Sequence, residues 1–395
     1  MVPELRQPFN AQWTEARYRD MMRALEAHVG CHIEFPISET PCFFRRSLLD
    51  RLAEVGRELI AQAMDPRALE ATSALTPERF RGPGEGASPI FVQVDFGLVR
   101  ASDGSVEPRL VELQAFASLY AFQLALSEHY LQTFELAMPV GLFLGGIDRG
   151  RYLSELRTAI VGPHEADHVV LMEIEPHRQK TRPDFLMTEQ LWGVRALDTR
   201  EIQREGRELW YRREGRRVPI RRIYNRIVPD ELERSRVRMP FDYRDDLNVE
   251  WAGHPAWYFL ISKASIPRLR HRSVPRTWSL DEIDLTDLPL DREQVLLKPL
   301  FSFAGGGIVF APSDADLAAI PPARRREFIL QERIAFTPVI ETPHGPTQAE
   351  LRLMYVWTDD VRPMLALVRM GRGKMMGVDH NKGLRWVGAS TAFSA

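Results

Sequence analysis

Residues 294–310 read QVLLKPLFSFAGGGIVF, and the rest of the chain is best understood outward from them. A β-rich run delivers Lys298, a short loop follows, and Gly305, Gly306 and Gly307 precede a second β-rich run from Ile308 to Phe310. Glycines at such a place let backbone N–H groups come close to phosphate oxygens, and a neighbouring ammonium adds charge. The pattern is not a Walker loop, because no Gly-Lys-Ser/Thr follows and no helix opens. The alternative is a glycine hairpin that happens to carry a lysine. Lysine is scarce here, however: of 52 basic residues only Lys180, Lys263, Lys298, Lys374 and Lys382 are not arginine. Arginine serves equally on a solvated surface but cannot replace a slender point charge.

Downstream, FILQERIAF (328–336) is an apolar strand interrupted by Gln331 and Glu332. A strand leaving a sheet at that point could offer backbone hydrogen bonds to a purine, with an acidic side chain beside the exocyclic amine. An edge strand with polar outer residues would look the same. In AELRLMYV (349–356), Glu350 and Arg352 are two apart and share one face of a strand. Either they form a surface ion pair, or the guanidinium clamps phosphate oxygens bidentately. The stretch ALVRMGRGKMMGVDHNKG (366–383) then supplies Arg369, Arg372, Lys374, His380, Asn381 and Lys382 between glycines.

Upstream, residues 89–116 read PIFVQVDFGLVRASDGSVEPRLVELQAF. Two β-rich runs, Phe91 to Val99 and Arg109 to Leu113, flank Ser102-Asp103-Gly104, which reads as a hairpin. Glu112 and Gln114 alternate with Leu113, so pairing the strands puts Asp95, Glu112 and Gln114 on one face. Three hard oxygen donors suit Mg²⁺, which takes one or two carboxylates plus substrate phosphates. A merely polar face of a half-exposed hairpin is the other reading.

Around these centres, residues 12–30 read as a helix ending at Gly30, 47–63 as a helix capped by Ser47, and 115–137 as a largely apolar helix. Short strands alternate with helical stretches from Val169: HVVLMEIEP, RALDT and, after an arginine-rich turn, RRIYNRIV. That alternation implies a mainly parallel sheet. AWYFLISKASIPRLRH reads as helical, and the strands after it suggest an antiparallel unit. Trp251, Trp257, Tyr258 and Phe259 read as core, and Cys31-His32-x-Glu34 fits no zinc spacing.

A net charge of −2 over 395 residues argues against a nucleic-acid coat or a polybasic membrane anchor. No apolar run approaches a membrane span, and two cysteines are consistent with a reducing, cytoplasmic setting. Self-association is left open. No Ser/His/Asp or reactive-cysteine signature is evident.

Together these pieces resemble an ATP-grasp ligase. In that family a metal-binding acidic hairpin usually comes last; here it precedes the lysines, as VDFGLV…LVELQ, an order that resembles the circularly permuted members such as glutathionylspermidine synthase. The resemblance covers residues 88–395 and implies an α/β (α+β) fold, a circularly permuted ATP-grasp core with a preceding Rossmann-like domain. Residues 1–155 would hold N-terminal helices and the permuted hairpin, 156–255 a substrate domain, and 256–395 the nucleotide-binding subdomains. By the same resemblance, Lys263 and Lys298 are the nucleotide lysines, Ser302 to Gly307 cover the phosphates, and Gln331, Glu332, Arg333 and Ile334 hold the adenine, with Glu350 alongside. Arg352, Arg369 and Lys298 serve phosphoryl transfer. Asp95, Glu112 and Gln114 hold Mg²⁺, with Gln114 where the family has Asn. Ile223 to Ile227 is a candidate acceptor segment, or else a buried strand with a salt-bridged Arg226. The implied activity is ATP- and Mg²⁺-dependent ligation of a small-molecule or peptide carboxylate to an amine through an acyl phosphate. A non-ligating ATP-binding partner protein and an ATP-grasp phosphotransferase are the alternatives.

Overall fold

The computed structural model describes residues 2–288, 290–302, 305–377, 381 and 383–395. Phe303 and Ala304 of the expected phosphate loop, together with His380 and Lys382, lie outside the described residues.

In chain order the first strands are β1 (Cys42–Phe44), β2 (Phe91–Arg100), β3 (Val106–Gln114), β4 (Val169–Glu173) and β5 (Arg195–Asp198). Next come β6 (Gln203–Glu205), β7 (Glu208–Arg213), β8 (Arg216–Ile220), β9 (Arg222–Asn225), β10 (Glu250–Ala252) and β11 (Thr277–Ser279). The last are β12 (Val295–Pro299), β13 (Val309–Phe310), β14 (Phe328–Glu332), β15 (Gln348–Trp357), β16 (Val361–Gly371) and β17 (Gly388–Ser394).

They build four sheets, of which the largest has six strands in the order β1-β17-β16-β15-β2-β3. The expected hairpin is there, and β15 pairs antiparallel with its inner strand, setting Arg352 opposite Asp95. One face of this sheet (Val92, Val94, Phe96, Leu351, Leu353, Val368) packs on Leu49, Leu52 and Leu59 of the Arg46–Ala63 helix. Part of the other face (Phe91, Met354, Leu365, Leu367) packs on the Tyr120–Thr133 helix. That helix is apolar nearly all round and is buried accordingly. The rest of this face carries the candidate site, whose Asp95, Gln114, Glu350 and Arg352 are buried.

A second sheet, β10-β9-β4-β5, is wholly parallel. The alternating strands and helices around Val169 do make a parallel layer. The third, β11-β14-β12-β13, is antiparallel. Its Val295, Leu297 and Leu330 pack on Leu317 and Ile320, which turns Lys298 and Gln331 to the opposite face. The fourth is the small meander β6-β7-β8. Among the described residues no helix is long and apolar enough to cross a membrane.

Several local expectations are corrected. The helix expected over 12–30 begins only at Glu15, capped by Thr14, and a separate helix, Pro3–Gln12, precedes it. Ser47 caps nothing: the next helix starts at Arg46, whose N–H donates to the Ala395 carbonyl at 2.9 Å, so a distant backbone supplies the cap. The apolar helix starts at Tyr120, after Leu119 in a left-handed conformation, and the Asp184 carboxylate accepts from the Ala121 and Phe122 N–H groups at 2.9 Å. The arginine-rich "turn" is the meander, with Leu209 and Tyr211 buried and arginines alternating outward. The helix expected around Lys263 breaks. Trp257–Leu260 is one short turn, and Ser262 caps a fresh 3₁₀ segment, Lys263–Arg268.

Candidate functional site

The polar face of the six-stranded sheet and the Lys298 face of the antiparallel sheet meet at β3. A bulge in the β2–β3 ladder falls after Asp95, so Asp95 pairs with Glu112 while Phe96 pairs with Leu110, and Val111 is the extra residue. The Val111 carbonyl lies 3.5 Å from the Lys298 ammonium. Lys298 also donates to Gln331 Oε1 at 2.5 Å, and Gln331 in turn donates to Thr277 Oγ1 at 3.2 Å. Burial pushes the Lys298 ammonium down to about 8, with Lys263 adding to the fall and Glu112 opposing it. Lys263 spans the junction, donating to Glu112 Oε1 at 3.2 Å and to the Ser302 carbonyl at 2.9 Å. The hairpin and the loop after Lys298 are therefore neighbours, although about 190 residues separate Glu112 from Lys298.

Asp95 is 1% exposed, and a carboxylate so buried needs partners. Arg352 forks onto it, Nε to Oδ1 at 2.7 Å and Nη2 to Oδ2 at 2.6 Å, and Arg369 Nη1 adds a third bond at 3.0 Å. Burial alone would raise the Asp95 carboxyl; the two guanidiniums outweigh it and hold it below the usual carboxylate range. Arg369 also binds Glu350, which lies opposite it across β15 and β16. Burial dominates at Glu350 and raises its pKa. Glu350 and Arg352 are thus not a surface pair with each other. They belong to one buried lattice with Asp95 and Arg369.

Gln114 donates to Gln93 Oε1 at 3.1 Å, and Gln93 donates to the Ser118 carbonyl at 2.9 Å. Gln93 was not singled out in the sequence, although it shares the Asp95 face of β2 by simple alternation.

Gly305 and Gly307 both have positive φ, +76° and +75°, a conformation glycine adopts without strain. A Cβ on Gly305 would lie 2.5 Å from the Met375 Cε, so the glycine loop and the 372–377 loop touch. The latter also brings the Lys374 ammonium to 6.0 Å from the Phe310 ring. Asn381 shapes that loop: its Oδ1 accepts the Arg372 N–H and its Nδ2 donates to the Met375 carbonyl, each at 3.0 Å. Arg372 itself reaches away, to the Arg385 carbonyl and Thr342.

The 328–334 segment does not fit the edge-strand alternative. β14 is an interior strand between β11 and β12, and the Glu332 and Arg333 N–H groups donate to the Arg276 and Gln294 carbonyls at 2.8 and 2.7 Å. The Glu332 carboxylate faces Arg276 and Arg109, which outweigh its burial and lower its pKa. Arg333 is exposed with its guanidinium 5.8 Å from the Phe310 ring, and Ile334 is half-buried. At Ile223 to Ile227 the buried-strand reading holds: Arg226 is paired with Asp184, both fully enclosed, and the Asn225 amide bonds back to Ile227.

Among the described residues no group of three His, Cys, Asp or Glu side chains is arranged to hold a metal ion. The oxygen set on the sheet is two carboxylates and the Gln114 amide. Three carboxylates (Asp95, Glu112, Glu350) face four cations (Lys263, Lys298, Arg352, Arg369). A bare divalent cation is repelled by that balance, whereas a polyphosphate reverses it. The residues fit Mg²⁺ in company with an anionic ligand.

No family model matches this chain, and no curated protein matches it. Among solved structures it is similar to a glutathione synthetase-like effector from Globodera pallida in its apo form. The TM-score is 0.58 and the identity 11%, with 99% of this chain and 98% of that chain covered. At that identity the likeness is one of fold: a mixed α/β architecture of several sheets.

Proposed function

We propose that this chain is an ATP-dependent carboxylate–amine ligase built on a circularly permuted ATP-grasp core. The observation that carries the reading is the Lys263 bridge between Glu112 and Ser302, which joins the acidic strand to the loop after Lys298. The neighbour's description as glutathione synthetase-like is in keeping with ligase chemistry.

In this reading Lys263, Lys298 and the backbone of Ser302 and Gly305 to Gly307 bind the phosphates. Gln331 to Ile334 flank the base, where committed backbone donors leave side chains and carbonyls to make the contacts. Arg352, Arg369 and Lys298 neutralise charge on the transferring group, and Glu350 positions Arg369. Asp95, Glu112 and Gln114 would hold Mg²⁺, which supplies further charge neutralisation at phosphate oxygens. A substrate carboxylate oxygen attacks the γ-phosphorus and ADP leaves. The amine then attacks the acyl carbon, phosphate departs with the bonding pair, and the amine sheds a proton to solvent. Positioning and charge suffice, so no side-chain nucleophile is required.

ATP with Mg²⁺ should raise the melting temperature of the wild type by an amount set by concentration over Kd. The shift should vanish in Lys298→Ala, and an unchanged shift would sink the assignment. One observation favours a second reading, a nucleotide binder without ligation: Gln114, in the place of the expected Asn, is tied to Gln93. Phosphate release that depends on both an added carboxylate and an added amine separates the two.

A further inference from the structure

Both oxygens of Asp95 are already spent, on three N–H groups from Arg352 and Arg369. A metal ion approaching Asp95 must therefore displace a bidentate guanidinium, and it must do so among four cations. Arg352 forks onto Asp95, while Arg369 holds both Asp95 and Glu350, whose carboxylate also faces Arg352. Phosphate oxygens match the guanidinium fork as well as a carboxylate does, and carry more charge.

We propose that Arg352 and Arg369 close the metal position, and that a nucleoside polyphosphate opens it by drawing these guanidiniums off Asp95. Divalent cation and nucleotide are then held as a unit, and free cation is refused. The inference rests on the nucleotide-binding reading and adds an order of events to it. Arg352 is here a positioning residue for the metal ligand, in addition to any contact it makes with phosphate. Glu112 keeps its second oxygen outside the Lys263 bond, so one donor stays ready while the other is masked.

Mn²⁺ is a suitable probe, read by its electron paramagnetic resonance signal and not by activity. Wild-type chain should leave free Mn²⁺ unperturbed at concentrations where Mn²⁺ with a non-hydrolysable ATP analogue gives a distinct protein-bound signal. Arg352→Met should bind Mn²⁺ without nucleotide at least about tenfold more tightly than wild type, since the removed guanidinium was the competing ligand for Asp95. Arg369→Met should do so more weakly, and it provides the same test should the first variant fail to fold. Adding Asp95→Asn to either variant should abolish the gain. Equal affinity of wild type and both variants for Mn²⁺ alone, or tight binding of Mn²⁺ to the wild type, overturns the proposal. If the analogue, with or without Mn²⁺, leaves the melting temperature unmoved, the nucleotide reading itself has failed, and this inference with it. A thermal shift by the analogue together with tight binding of free Mn²⁺ to the wild type would sink the masking alone.

Discussion

Buried charge in this chain is handled in two ways, and the residues show which. Asp95 and Asp184 are fully enclosed and each is matched by arginine. Glu173, at the end of β4, is 4% exposed and, among the described residues, accepts only the Ile174 N–H at 2.7 Å. Burial pushes its carboxyl up to about 8, because Arg226 and that single bond do not offset desolvation. The native state therefore keeps a proton on Glu173 that the unfolded chain gives up near the ordinary carboxylate range. Between that range and about pH 8 the folded form binds more protons, so this residue costs stability as pH rises. Glu173→Gln keeps the shape and removes the titration. Urea unfolding should show the variant gaining on the wild type from about pH 5 upward and levelling off above about pH 8, by on the order of a few kcal/mol in all. An unchanged pH slope would mean that Glu173 reaches solvent or a cation in the folded state.

At the scale of elements, the long helix and the main sheet meet at a point that only glycine allows. A Cβ on Gly56 would lie 2.0 Å from the Tyr355 hydroxyl, which donates to the Ala53 carbonyl at 2.9 Å. The Arg46–Ala63 helix thus rides directly on β15. Gly56→Ala has a good helix former in a helix interior, which on propensity alone would stabilise by about 0.5–1 kcal/mol. Overpacking should win, with a net loss of about 1–3 kcal/mol in denaturant midpoint experiments, and β15, which carries Arg352, should shift with it. A stabilised variant would show that the helix can slide without cost. The same contrast explains what the sequence disclosed. The β-rich apolar pattern announced β2, β3, β12, β15 and β16, and all but β3 are buried along most of their length. It did not announce the β6-β7-β8 meander, where arginines masked the pattern, nor the interior position of β14. That position depends on β11, a three-residue strand with no signal of its own.

At the scale of the molecule, the first strand and the last lie side by side in one sheet. β17 lies between β16 and β1, antiparallel to the first and parallel to the second, so residues 42–44 and 388–394 stand side by side. The motifs on either side of the site were legible singly, from Asp95 alternating with its neighbours and from Lys298 beside its glycines. Their meeting was not, because pairing over such separations leaves no local trace; it follows from which apolar faces must be buried together. β17 is where that closure is most exposed to test. All seven of its residues are buried, with Ala392 in one core, Ala389 and Phe393 in the other, and Thr391 bonded to Ser127 at 2.7 Å. It also supplies the Ser390 hydroxyl to the Thr40 carbonyl at 2.6 Å. Removing residues 388–395 should leave β1 without its sheet partner and β16 as an unpaired edge. The truncated chain should lose its cooperative unfolding transition and aggregate, while an alanine at exposed Arg216 in the meander leaves the melting temperature within a degree or so of wild type. If the truncated chain still melts cooperatively and still gains stability from ATP, then the site holds without β17, and the pairing of β17 with β1 serves something other than its support.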